Sequence, residues 1–189
     1  MYALAWLALG TRPDIAFSTS SPARFGPNPG RVHWQAAKRV LRYLKGTKQW
    51  RLTLGGKTPE VVAFTDADWG SHRDDRRSIG AYLIKIGDGA VSWKSKKQSC
   101  VALSSTEVEY MALCQASKES VWMMDSLRNL GISMREPLIV NADNQGSIAL
   151  AKNPIFHDRS KHIDIQYHFT RDLVKHKKIH LRIYPRRTC

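Results

Sequence analysis

The sequence predicts an α/β domain preceded by a small helical segment, and three observations carry that expectation. First, the periodicity of the apolar residues changes near "TLGGKTPE", where Gly55, Gly56 and Pro59 interrupt the pattern. Second, the stretch after that point alternates short runs rich in β-branched and aromatic residues with helix-length amphipathic segments. Third, the charge is uneven. Residues 1–58 hold ten Lys or Arg and one acid, Asp14, for a net +9, and residues 59–189 hold twenty and fifteen, for a net +5.

Before the boundary, "MYALAWLALG" has no basic segment ahead of it, so it reads as an amphipathic or buried helix and not as a secretory leader. "TRPD" marks a helix start, with Pro13 where a missing N–H does no harm and Asp14 in the first turn. A loop rich in Pro and Gly follows. Trp34, Ala37, Leu41 and Leu44 then recur at helical spacing, with Arg31, Lys38, Arg39, Arg42 and Lys45 on the other faces and Gly46 as the stop. Such a basic helix is either a solvated face or a track for a phosphate backbone.

After the boundary, "EVVAFTD", "SIGAYLIKIG" and "AVSWKSK" read as a three-stranded antiparallel meander. A long helix comes next, with Ser104/Glu107 and Thr106/Glu109 both in capping-box register, Val108, Ala112, Ala116 and Trp122 on its apolar face, and Gly131 as its stop. "PLIVNADN" is a strand running into Asp143, followed by a short helix capped by Asn144. "HIDIQYHFTRDLVKH" is a further helix, with Ile163, Tyr167, Leu173 and Val174 partly on one side, and "KIHLRIYP" is the last strand.

Composition narrows the class of function. At 189 residues the chain is long enough for a core without staples, and no apolar run reaches the roughly 18–20 residues of a membrane span. Cys100, Cys114 and Cys189 are odd in number and show no C-x-x-C spacing, which argues against a disulfide framework and a zinc site and fits a reducing, intracellular setting. The net charge of +14 suggests a polyanionic partner, because each neutralised phosphate releases counterions.

Two strands deliver an Asp at or near their C-terminal ends, Asp66 and Asp143, and the helix between them delivers Glu109. In an open α/β sheet those strand ends form the ligand-binding edge. Convergent carboxylates there repel one another unless a hard cation such as Mg2+ lies between them, and two such ions can clamp the attacking and leaving oxygens of a phosphodiester. Plainer roles compete: Glu109 as a capping acid, Asp143 as a turn former, Asp68 as a loop acid.

The blocks "TRPDIAF", "HWQAAKRVLRYLKGT", "TDADWG", "GAVSWKSKKQSCVALSSTEVEYMAL" and "NADNQGSIALAKNPIFHDRSKHIDIQYHFTRDLV" together resemble the end of a copia-type retrotransposon Pol polyprotein, a connection segment followed by ribonuclease H. The resemblance implies a connection-like basic helical segment over 1–58 and an RNase H-like domain over 59–189. That domain would have a mixed five-stranded sheet, three antiparallel strands then two parallel, flanked by helices. It also implies hydrolysis of the RNA strand of an RNA–DNA hybrid, with the reverse transcriptase portion of the same polyprotein as partner and a setting in the cytoplasm or a virus-like particle.

By their place in the matching blocks, Asp66, Glu109 and Asp143 would hold Mg2+, two ions in a complete site with Mn2+ able to substitute, and a water would attack the phosphorus. Asp68 is expected to fall out of step along the strand and point away. Arg76, Arg77, Lys94, Lys96 and Lys97 are candidate phosphate contacts, competing with plain exposed charge. The resemblance further implies a fourth acid on a helix after the last strand. The sequence ends at "IYPRRTC" without it, so a weakened second metal position, a lower rate and some loss of stability are expected. Asp158 and Asp164 are the nearest spare carboxylates, and His162 and His168 are auxiliary candidates for product release or proton transfer. The competing functions are a nucleic-acid-binding relic without turnover and a domesticated interaction fragment.

Overall fold

The computed structural model describes residues 1–56, 60–70, 75–153 and 161–184, without the side chains of 161–165 and 167. Five strands form one mixed sheet: β1 (Val61–Asp68), β2 (Ile79–Ile86), β3 (Gly89–Lys97), β4 (Leu138–Ala142) and β5 (Ile179–Ile183). Their order is β3-β2-β1-β4-β5; β1, β2 and β3 are antiparallel, and β4 and β5 run parallel to β1. This is the α/β arrangement of three antiparallel and two parallel strands that the sequence predicts.

The helices are α1 (Tyr2–Gly10), α2 (Ala16–Ala23), α3 (Arg31–Gly46), α4 (Ser105–Asn129), α5 (Gln145–Lys152) and α6 (Lys161–Lys175). The central helix α4 is 25 residues long and packs on the sheet. One core cluster joins Val61 and Ala63 of β1, Tyr82 and Ile84 of β2, Tyr110, Leu113 and Ala116 of α4, and Val140 of β4. Alternation along β1 explains the choice, because residues 61, 63 and 65 share one face and all three are buried.

Helix α4 stops where expected. Gly131 has φ +75°, its N–H donates to the Arg128 carbonyl (2.9 Å), and the Ile132 N–H reaches back to the Leu127 carbonyl (3.0 Å). These two bonds make a Schellman ending that a left-handed residue permits. Trp122 departs from the expectation: it is exposed, because α4 turns a different stripe toward the sheet once it passes Ala116.

The first 56 residues build a separate, smaller core from Leu4, Ala8, Ile15 and Val40, with Leu44 against it. Here the expected stripe on α3 is corrected. Ala37 and Val40 are the buried residues, whereas Trp34 and Leu41 are 61% and 51% exposed. Helix α1 is not buried on all sides either: Leu4 and Ala8 face inward, while Tyr2, Trp6 and Leu9 are exposed. Pro13 and Asp14 open a short 3-10 turn, Pro13–Ile15, and α2 follows directly. The start of α3 uses His33, whose Nδ1 accepts the Gly30 N–H at 2.9 Å. The Trp93 indole N–H of β3 donates to the Ala8 carbonyl at 2.6 Å, which ties this helical layer to the sheet.

Candidate metal centre at the strand ends

Neighbouring strands β1 and β4 run parallel, so Asp66 and Asp143 arrive at the same edge of the sheet. Asn141 holds the two strands together there: it is 5% exposed, and its Nδ2 donates to the Ala63 carbonyl at 3.2 Å. Beyond Asp143, Asn144 caps α5 by accepting the Ser147 N–H at 2.9 Å. A Cβ at Gly146 would lie 3.1 Å from the Thr106 side chain, so α5 starts close against the first turn of α4, and this brings Asp143 toward Glu109.

The two competing capping registers on α4 are resolved. Ser104 is the N-cap and accepts the Glu107 N–H at 3.2 Å, and the Glu107 carboxylate reaches back to the Leu103 N–H at 2.6 Å. Capping therefore falls to Glu107. Glu109, two residues on, is buried and faces the strand ends. Asp66, Glu109 and Asp143 each bring a carboxylate oxygen within 4.8 Å of the other two, with Asp66 exposed, Asp143 half-buried and Glu109 buried. An all-oxygen donor set of this kind suits a hard divalent cation.

The expectation for Asp68 is overturned. Strand β1 continues through it, and residues two apart on a strand share a face, so Asp66 and Asp68 both line the same cavity of about 810 Å³. Asp68 has a structural bond there, its Oδ1 accepting the Ile79 N–H at 3.2 Å. Phe64 and Tyr184 form another part of that cavity wall, meeting edge to face at 5.5 Å.

Of the candidate phosphate contacts, Arg77 and Lys97 meet through a shared carboxylate, Asp75. Lys94, Lys96 and Lys97 line a cleft beside α4, whereas Arg76 is exposed with φ +54° and Arg77 lies 3.7 Å from Asp75. Lys97 is also committed to Asp75, at 2.5 Å. Lys118 and Gln115 of α4 complete the cleft. Sequence reasoning passed over both, although their spacing from Cys114 and Met111 on one helix was the available signal. His168 is exposed on α6. Asp158 and the side chains of His162 and Asp164 lie outside the described residues.

No family model matches the chain. The retrovirus-related Pol polyprotein from transposon TNT 1-94 of Nicotiana tabacum is 44% identical over 171 residues, which is 90% of this chain and 13% of that polyprotein. The Pol polyprotein from transposon RE1 of Arabidopsis thaliana is 42% identical over 91% of this chain and 12% of its own length, so the chain spans about an eighth of these relatives. The secreted RxLR effector protein 161 of Plasmopara viticola is 49% identical over 123 residues, 64% of this chain and 86% of that protein. Among solved structures, LC11-RNase H1 isolated from compost superposes with a TM-score of 0.50 at 14% identity, covering 68% of this chain and 86% of that one; the likeness is one of fold. With more than 40% identity to such polyproteins over nine-tenths of its length, the chain belongs to the retrovirus-related Pol polyproteins of copia-type transposons, and its own sheet has an RNase H-like fold.

Proposed function

We propose that the chain is a ribonuclease H-type endonuclease that hydrolyses the RNA strand of an RNA–DNA hybrid with Mg2+ held by Asp66, Glu109 and Asp143. The observation that carries this reading is the convergence of those three carboxylates within 4.8 Å at the ends of β1 and β4. Two carboxylates at that separation repel by about 3–4 kcal/mol at an effective dielectric of 20. The cluster therefore favours a cation between its members, and Mg2+ or Mn2+ accepts oxygen donors. The ion would supply charge neutralisation at the phosphate and activation of a water.

The protein's own groups set the rest. Glu109 is fixed by burial in α4, and Asn141 fixes the spacing of β1 and β4, so the ligand oxygens are held before substrate arrives. Asp66 is the exposed member and stands where the scissile phosphate would approach. Recognition of the hybrid would rest on backbone shape and 2′-hydroxyl contacts, which also select the RNA strand for cleavage. The reverse transcriptase portion of the same polyprotein would be the partner that generates the hybrid.

The test is cleavage of a hybrid with end-labelled RNA, comparing the protein with Asp66→Asn in Mg2+, in Mn2+ and in EDTA. Cleavage is expected with either metal and absent in EDTA, and the variant is expected to be slower by at least about a hundredfold, since charge stabilisation worth several kcal/mol is removed. Equal cleavage by the variant, or cleavage in EDTA, would sink the proposal. Hybrid binding with no metal-dependent cleavage would favour a module that holds nucleic acid without turnover.

A further inference from the structure

A second cleft, of about 220 Å³, lies on the α4 side of the sheet between β2, β3 and α4. Its walls carry Lys94, Lys96 and Lys97 of β3, Lys118 and Gln115 of α4 and Gln166 of α6, and no Asp or Glu among the described residues. Residues facing one another across β2 and β3 explain the shape. Lys94 pairs with Tyr82 and Lys96 with Gly80, so both lysines stand on the face that α4 covers. Gly80 has no side chain to fill the space opposite Lys96, and a Cβ there would meet Ala112 of α4 at 3.5 Å, so small residues form the floor.

Lys97 is held by Asp75, but among the described residues Lys94, Lys96 and Lys118 have no carboxylate partner. Three like charges around one cleft are mutually repulsive and gain from an anion between them. Cys114, also on the wall, does not compete as an anionic nucleophile, because burial pushes its thiol above the ordinary value and keeps it protonated at neutral pH. Glu119, the next residue along α4 from Lys118, is not part of the cleft wall.

We propose that this cleft is a phosphate-binding site for a nucleic-acid strand passing along the β3 edge toward the carboxylate cluster, whose cavity Lys94 also lines. Among the described residues β3 is the last strand of the sheet on that side, and no further strand blocks the approach. Lys94 and Lys96 are two residues apart, about 6.8 Å along the strand, and form a short row of point charges rather than a single spot. Lys118 faces them from α4, nine residues and about 13.5 Å beyond Glu109. A hybrid strand covers that distance in roughly four nucleotides. The assignment rests on the chain's handling of nucleic acid and does not require that it cleave.

The experiment measures binding of a fluorescent RNA–DNA hybrid by anisotropy in EDTA across a salt series, so cleavage plays no part. The triple variant Lys94→Gln, Lys96→Gln, Lys118→Gln is compared with Lys175→Gln, Lys177→Gln, Lys178→Gln, which removes equal charge at the far end of β5. The slope of log Kd against log salt is expected to fall by about two to three in the cleft variant, near 0.9 per lost phosphate contact, and by less than about one in the control. Equal falls in both variants would overturn the proposal, because only diffuse charge would then be at work. A parallel arm titrates inorganic phosphate against chloride at matched ionic strength while following the Gln115 and Lys118 amide resonances. If phosphate moves those resonances but the hybrid slope is unchanged in the cleft variant, the site takes a free anion and the strand assignment fails. A hybrid that binds with the expected slope difference yet is never cleaved in Mg2+ would sink the nuclease reading and leave this one standing.

Discussion

The helical layer of residues 1–56 and the sheet of residues 60–184 are both basic, yet only the sheet gathers carboxylates. In the helical layer the cations of α3, namely Arg31, Lys38, Arg39, Arg42 and Lys45, are all exposed, and the single acid, Asp14, is occupied by Arg12 at 2.8 Å. In the sheet, burial and backbone topology force Asp66, Glu109 and Asp143 together. The cores differ in the same direction. Among the described residues, the core cluster under the sheet has sixteen buried members around Tyr110 and Leu113, whereas the cluster of the helical layer has four, and that layer leaves Tyr2 95% and Trp6 76% exposed. The lesson is one of division: the region able to spend stability on convergent like charges is the one with the large core, and the helical layer supplies positive surface without that cost.

Matched truncations test that division. Leu113→Ala is expected to destabilise the sheet by about 3–4 kcal/mol, because Leu113 is fully buried between α4 and the strands and the site cannot collapse. Ile15→Ala, also fully buried, should cost about 2 kcal/mol and act on the helical layer, whose few core residues can relax. Denaturant melts with near-ultraviolet dichroism and amide exchange separate the two; equal losses spread over both regions would break the distinction. Next in size, Trp93→Phe removes the bond to the Ala8 carbonyl and leaves that carbonyl unpaired, for about 1–2 kcal/mol. Faster amide exchange in α1 and α2, with β1 and β4 unchanged, is the expected result. Slower or unaltered exchange in α1 would show that the link carries no stability.

The sheet was legible because its strands alternate in the ordinary way and its helices begin and end with recognisable residues, such as Asn144 before α5 and Gly131 after α4. The three acids were legible as residues at strand ends and in matching blocks. Their geometry was not, since it depends on Asn141 and on the close approach of α5 to Thr106, which no local pattern encodes. Asp68 was misplaced because a step of two along a strand keeps a face. Trp34, Leu41 and Trp122 were misplaced because helical spacing says which residues share a stripe but not which stripe the rest of the fold covers.

The capping register is a case where sequence offered two answers, and it yields the next prediction. Ser104→Ala removes the acceptor of the Glu107 N–H and should cost about 1 kcal/mol. Thr106→Ala, which contributes no cap in the observed register, should cost a few tenths. If Thr106→Ala proved the costlier in thermal melts, Glu109 would belong to the cap and the separation between capping acid and site acid would be lost.

The smallest effect concerns the lone acid of the helical layer. The Arg12 guanidinium donates to both oxygens of Asp14 and holds its carboxyl below the usual carboxylate value, against a smaller upward push from burial. A folded-state value below the unfolded one means that the carboxylate contributes stability that is full above the ordinary Asp value, near pH 4, and is lost as pH falls through the lowered value. Asp14→Asn should therefore cost about 0.5 kcal/mol at neutral pH, in keeping with a partly exposed ion pair. The difference between wild type and variant should then shrink below pH 4 and vanish at lower pH. The measurement is the melting of α1 to α3, followed by exchange or by the Trp6 and Trp34 emission, over pH 6 to 2.5. A difference that stayed constant through that window would mean that Asp14 acts by shape and hydrogen bonding alone, and that charge in the helical layer has no bearing on its folding.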